Sequence, residues 1–213
     1  MRRFFDFLFP PRVDEVTLSG VSDDAFLASL APRLVPETRP ATVALFSFGN
    51  PAVRAAIHEA KYHGNTRAFT LLALALADYL RDADDVGRRT SYIQLVPVPL
   101  SRERQKERGF NQVEEVVRRT ARELDITVNT TLLERTRETV SQVSLPREQR
   151  EENMRGAFIV SPNPAVSGRR RINPSHTYIL IDDVITTGAT LQAALDALRS
   201  GGALHVIPLA LAH

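Results

Sequence analysis

The run from Tyr178 to Thr190, YILIDDVITTGAT, sets two adjacent acids, Asp182 and Asp183, between four apolar residues and a small, hydroxyl-rich stretch that opens a helical pattern. In parallel sheets, ligands bind at the carboxyl ends of strands. Side chains alternate along a strand, so the two carboxylates are expected to point in different directions. One would face a ligand, and the other would orient the loop or a metal-bound water. Thr186, Thr187, Gly188, Ala189 and Thr190 would present N–H groups and hydroxyls at a helix N-terminus, a site suited to phosphate. Gly188 lets the backbone turn with positive φ or approach a ligand closely. Each half also has a plain structural reading, a loop start for the acids and a cap for the threonines; their combination at this spacing favours chemistry. The nucleotide motif G-x-x-x-x-G-K-[ST] and the dinucleotide fingerprint G-x-G-x-x-G are both missing from the chain. What remains is a pair of acids for sugar hydroxyls and a cradle for one phosphate monoester, which fits a ribose 5-phosphate group.

The elements that must position these residues follow from hydrophobic patterning. The chain has 213 residues, 43% hydrophobic and 24% charged, with a formal net charge of +2. That is the balance of a globular domain able to bury a core, and the bulk charge is too small to argue nucleic-acid binding. Zero cysteines exclude a disulfide framework, a thiolate zinc site and a cysteine nucleophile. Strand-like runs at Val43–Phe48, Tyr92–Pro97, Tyr178–Ile181 and Ala203–Ala210 alternate with helical patterns at Ala52–Lys61, Thr66–Arg81, Phe110–Leu124 and Ala189–Arg199. Thr131–Leu133 and Ala157–Val160 read as short strand pieces. The alternation predicts an α/β fold, a Rossmann-like, mostly parallel sheet flanked by helices. A proline-punctuated N-terminal segment, residues 1–40, should precede the main domain, residues 41–213. Met1–Phe9 is short, contains Asp6 and runs into Pro10 and Pro11, so neither a signal peptide nor a membrane span is expected and the reading is cytoplasmic. The apolar residues Phe4–Phe9 would pack on the domain or on a second copy, as in a homodimer.

Of 27 basic residues, 25 are arginine; the two lysines are Lys61 and Lys106. Arg102, Arg104, Lys106 and Arg108 read as a turn after the Tyr92–Pro97 strand, placed to close over a pyrophosphate or to pair with Glu103 and Glu107. Asn111 and Gln112 begin the next helix, as caps or as ligand donors. The five histidines show no metal-ligand spacing. Arg169–Arg171 form the basic tip of a loop from Ser161 to His176, with solvation as its ordinary meaning and nucleic-acid contact as the alternative.

The chain resembles a known family. YILIDDVITTGAT is similar to the 5-phosphoribosyl-1-pyrophosphate (PRPP) motif of type I phosphoribosyltransferases. Phe7–Pro10, Lys61-Tyr62, the ValProValPro at 96–99, the string Arg108-Gly109-Phe110-Asn111-Gln112, and Arg135, Gln142, Arg150, Asn153, Gly156 and Phe158 look like the ComF-type competence family of these proteins. The resemblance implies the type I phosphoribosyltransferase fold and transfer of 5-phosphoribosyl from PRPP to a nitrogenous acceptor, with Mg2+ held through water by Asp182 and Asp183. It implies a 5-phosphate site at residues 186–190 and a pyrophosphate site at Lys61, with Tyr62, Arg104, Arg108 and Arg135 as further candidates. It also implies a mobile flap over residues 134–155. Single-stranded DNA or a competence helicase would be a partner in an accessory, non-catalytic role in DNA uptake, and PRPP sensing is a third option. Family members commonly carry a four-cysteine zinc module after the PheProPro segment; Arg12–Gly20 contains no cysteine, so no zinc is expected.

Overall fold

The computed structural model describes residues 12–83, 92–137, 152–161 and 172–213. In chain order these residues form α1 (Val13–Ser19), α2 (Asp23–Leu27), β1 (Arg33–Val35), β2 (Thr42–Phe46), α3 (Pro51–His63) and α4 (Thr66–Asp82). They continue with β3 (Ile93–Pro97), α5 (Arg102–Arg108), α6 (Gln112–Leu124), β4 (Thr127–Val128), β5 (Leu133–Arg135), β6 (Phe158–Val160), β7 (Thr177–Val184), α7 (Ala189–Ser200) and β8 (His205–Ala212). A six-stranded sheet has the order β1-β2-β8-β7-β3-β4, parallel throughout except at edge strand β1, and β5 pairs antiparallel with β6 in a separate ribbon. This is the α/β fold of a type I phosphoribosyltransferase. Among the described residues no helix is long and apolar enough to cross a membrane.

Alternation along β7 divides the core. Ile179 and Ile181 face the layer built by α3, α4 and α6, while Tyr178 and Leu180 face α7 and the β5–β6 ribbon. Because parallel strands are buried on both faces, they read in sequence as unbroken apolar runs. Local chemistry starts α3, α4, α5 and α6: Asn50, Asn65, Ser101 and Asn111 accept backbone N–H groups with their side chains, and Gly64 and Gly109 end α3 and α5 in the left-handed region.

Three elements differ from the sequence reading. Arg102–Arg108 is a helix and not a turn; Ser101 caps it, and its seven polar residues have no apolar face to announce it. Strand β7 runs three residues past Ile181, carrying both acids inside the strand. Helix α3 continues two residues past the expected end at Lys61, to His63, so Lys61 sits in its last turn.

Residues 12–40 are packed on the sheet domain. Leu18 and Phe26 are fully buried in its core, and β1 extends the sheet. The seam between α1 and α3 is ionic: Arg12 donates from Nε and Nη2 to the two carboxylate oxygens of Glu59, each at 2.7 Å. The Glu59 side chain is 1% exposed, and Asn65 Nδ2 donates to it as well. The hydrogen bonds from Arg12 hold the Glu59 carboxyl below its ordinary value of 4.5, against the opposing effect of burial. A depressed acid stabilises the fold above its unfolded value and ceases to do so as the pH falls through its folded value. Arg12→Ala should therefore lower the thermal midpoint at pH 7, and circular dichroism melts should show the gap to wild type closing below about pH 4.5. A gap independent of pH would mean that Glu59 does not need this partner.

Candidate functional site

Strands β3 and β7 are neighbours, but their following helices lead in opposite directions, through α6 to β4 at one edge and through α7 to β8 on the other side. Such a divergence leaves a crevice beyond the carboxyl ends of the two strands. A cavity of about 380 Å³ opens there, lined among others by Phe48, His58, Lys61, Tyr62, Arg104, Arg108, Gln112, Arg135, Asp182, Asp183, Thr186 and Thr190. Residues up to 142 positions apart in the chain thus meet in one space.

The two acids diverge, as strand alternation requires. Asp183 lies on the α3 and α6 side: its Oδ2 accepts Gln112 Nε2 at 2.7 Å and lies 3.4 Å from Lys61 Nζ, while Oδ1 accepts the Val184 N–H. Burial works to raise its pKa, but Lys61, the Gln112 amide and the Val184 N–H outweigh it and hold Asp183 below the ordinary carboxylate value. Asp182 faces the loop on the α7 side, and its Oδ1 accepts the Asp183 N–H. Burial and the adjacent Asp183 charge push it up to about 7, against the pull of that N–H, Lys61 and Arg135. Neighbouring acids on one strand therefore differ in charge near neutrality.

Beyond Asp182, residues Thr186, Gly188, Ala189 and Thr190 line a notch of about 20 Å³ at the start of α7. Gly188 is the N-cap, at φ +84°. A Cβ there would lie 2.4 Å from the Arg39 carbonyl oxygen, so glycine is required by contact as well as by conformation. The Arg39 N–H donates to the Thr187 carbonyl at 3.1 Å, tying the loop from behind to the segment before β2. Thr187, expected in the phosphate cradle, instead is buried and lines neither space, and its hydroxyl lies 3.4 Å from the Ala189 N–H.

The facing wall comes from α3, α5 and β5. Arg108 stacks its guanidinium 5.3 Å from the Tyr62 ring centre and donates to Gln112 Oε1 at 3.2 Å. Arg135 lies over the Phe158 ring at 5.6 Å. His58 Nδ1 is 3.3 Å from Asp14 Oδ2, and its ring meets those of Phe48 and Tyr62 edge-on at 6.1 and 6.0 Å. Asn111 serves as a cap, and its amide donates to the Val98 carbonyl. Arg102 pairs with Glu134 at 3.3 Å and, like Lys106, lines a second cavity of about 360 Å³ that shares Pro99, Leu100 and Arg135 with the first. Of the proposed flap, residues 134–155, Arg137 at one end donates to the Asn153 carbonyl at the other, and the Thr136 N–H donates to the carbonyl of Ala157, just beyond it. Residues 138–151, with Gln142 and Arg150, the segment Phe4–Pro10 and the tip Arg169–Arg171 lie outside the described residues.

The pairing of His58 with Asp14 and the approach of Arg39 to Gly188 had no sequence signal, since each joins elements more than 40 residues apart. Among the described residues, no cluster of three or more acids or histidines is gathered as a metal site. Two carboxylates facing a polar cavity, one of them engaged by Lys61, suit a largely hydrated Mg2+ that arrives on substrate phosphates.

Comparison with known proteins agrees with this geometry. The model of the phosphoribosyl transferase domain matches residues 114–212, from α6 to β8. The chain is 34% identical over 135 residues to Competence protein F of Haemophilus influenzae, covering 62% of this chain and 55% of that protein. It is 31% identical over 176 residues to the DNA utilization protein YhgH of Escherichia coli, covering 80% of this chain and 70% of that one. For the Salmonella typhimurium protein of the same name the figures are 29% over 160 residues, 73% and 65%. The chain thus spans little more than half the length of the Haemophilus protein.

Two outcomes follow from the loop and the acids. Gly188→Ala should cost about 1–3 kcal/mol in urea unfolding, because a Cβ must displace backbone and hold a positive φ. The raised Asp182 has the opposite sign to Glu59: between its unfolded 3.8 and about 7, only the folded chain keeps the proton, so stability falls as pH rises across that window. Asp182→Asn should accordingly melt higher than wild type at pH 8, by about 2–4 °C for each kcal/mol relieved, and should match it near pH 4. Equal melting at pH 8 would show that Asp182 ionises without strain.

Proposed function

Since the chain belongs to the ComF-type competence family of phosphoribosyltransferase-like proteins, we propose that it binds PRPP with Mg2+ and transfers the 5-phosphoribosyl group to a nitrogenous acceptor, releasing pyrophosphate. The observation that carries this reading is the meeting, in one cavity, of the β7 acids, the loop at the start of α7 and the cations of α3, α5 and β5.

In this reading the loop at 186–190 receives the 5-phosphate through backbone N–H groups and the hydroxyls of Thr186 and Thr190, with Thr187 supporting it from behind. Asp182 and Asp183 hold the ribose hydroxyls and the waters of Mg2+. The metal would supply charge neutralisation on the pyrophosphate. Lys61, positioned by Asp183, and Arg104, Arg108 and Arg135 surround the leaving group, while Tyr62 steadies Arg108 through its ring. Cleavage of the bond between C1 and pyrophosphate builds negative charge on the leaving group, and preset cations stabilise it most where water is excluded; each such group is worth about 3 kcal/mol of barrier.

The printed names of the relatives favour a second reading, in which the same cavity senses PRPP in an accessory protein of DNA uptake, with single-stranded DNA or a helicase as its partner. Calorimetry separates these possibilities. Wild type should bind PRPP in the presence of Mg2+, and Asp183→Asn and Lys61→Ala should each bind at least tenfold more weakly, as expected for charge-assisted hydrogen bonds. No binding by wild type would remove both readings. Given binding, pyrophosphate release with a panel of nitrogenous bases identifies an enzyme, and its absence with every base identifies a sensor.

A further inference from the structure

Resting on the reading of the cavity as a PRPP site, we propose that His58 is the proton acceptor of the transfer step and that Asp14 is its positioning residue. His58 lies three and four residues before Lys61 and Tyr62 on α3, so the three side chains share a helical face, and all three line the cavity that holds Asp182 and Asp183. Asp14, from α1, sits behind the ring, with its Oδ2 3.3 Å from Nδ1. A carboxylate only accepts, so this contact puts a proton on Nδ1, and in the proposed role Nε2 carries the lone pair. The side chains of His58 and Asp14 are 42% and 37% exposed, which leaves the pair accessible to a ligand.

The other described side chains of the cavity are unsuited to this task. Lys61, Arg104, Arg108 and Arg135 are cations. Asp183 is engaged by Lys61 and Gln112, and Asp182, which also lines the cavity, is taken up in the proposed site by the ribose hydroxyls and the waters of Mg2+. Among the described residues lining the cavity, His58 is the one imidazole. Phe48 and Tyr62 flank it edge-on and form an apolar wall on which a flat ring can rest, so the matching acceptor is a planar heterocycle with an ionisable N–H. In the step, the acceptor nitrogen bonds to ribose C1 and the C1–O bond to pyrophosphate breaks, its electron pair leaving with pyrophosphate. The proton of the acceptor passes to His58 Nε2, and the resulting imidazolium is stabilised by Asp14.

Two measurements test this. Diethylpyrocarbonate modifies imidazole nitrogen, and peptide mass spectrometry should show His58 modified at least fivefold more slowly with saturating PRPP and Mg2+, while exposed His205, at the far end of β8, is unaffected. Pyrophosphate release with the best base of a purine and pyrimidine panel should fall about 10²–10⁴-fold in His58→Gln, with PRPP affinity from calorimetry within twofold of wild type. Asp14→Asn should lose part of that rate, and Asp14→Glu should restore it. Unchanged His58 reactivity on PRPP binding, equal turnover in His58→Gln, or a wild type that binds PRPP and transfers to no base would each overturn the assignment. A wild type that does not bind PRPP would instead remove the reading of the cavity on which it rests.

Discussion

A carboxylate carried to the end of a buried strand must find partners or give up its charge, because removing its water costs several kcal/mol. Asp183 meets that demand with Lys61 from α3 and Gln112 from α6. The two helices belong to different crossover connections, so the pairing fastens the β2-to-β3 crossover and the β3-to-β4 crossover to the same point on β7. The crevice between β3 and β7 is open for the same reason: its floor is polar and satisfied, and apolar side chains gain nothing by closing over it. The site is a consequence of where the sheet changes direction and of one ion that cannot be left alone there.

Rigidity of α3 is the second requirement, since Lys61 acts from its last turn. That helix is held by its cap Asn50, by burial of Val53, Ala56, Ile57 and Ala60, and along its outer side by α1 through Arg12 and Glu59. Glu59 lies two residues before Lys61 and is buried, so a change in the seam with α1 is felt directly at the turn that presents Lys61, Tyr62 and His58. Residues 12–27 contain no cysteine, and their hold on the domain is ionic and apolar, through Arg12, Asp14, Leu18 and Phe26.

Much of this was legible in the sequence, and the parts that were not share a cause. The runs at 92–97 and 178–181 announced buried strands, because parallel strands need apolar residues on both faces, and the acids at 182 and 183 stood out against them. Opposite orientation of those acids followed from the pleat alone. The helix Arg102–Arg108 did not announce itself, since it buries nothing and is made by its cap. Thr187 looked like its neighbours Thr186 and Thr190, and the bond from the Arg39 N–H, 148 residues earlier, to its carbonyl could not be read from the sequence. His58 looked like a stray histidine, because its partner Asp14 is on a helix that the proline-rich N-terminal pattern concealed.

The opposite pKa shifts of the two acids bear on how such a cavity takes a ligand. Lys61 holds Asp183 below the ordinary carboxylate value, while burial and the Asp183 charge push Asp182 up to about 7. A ligand that brings a hydrated cation and ribose hydroxyls to Asp182 favours its charged form and displaces that proton. The two effects that raise Asp182, burial and the Asp183 charge, are those that a cation placed beside it would counter. Placing the acids next to each other on one buried strand, with Lys61 in contact with one of them, is what drives their values apart.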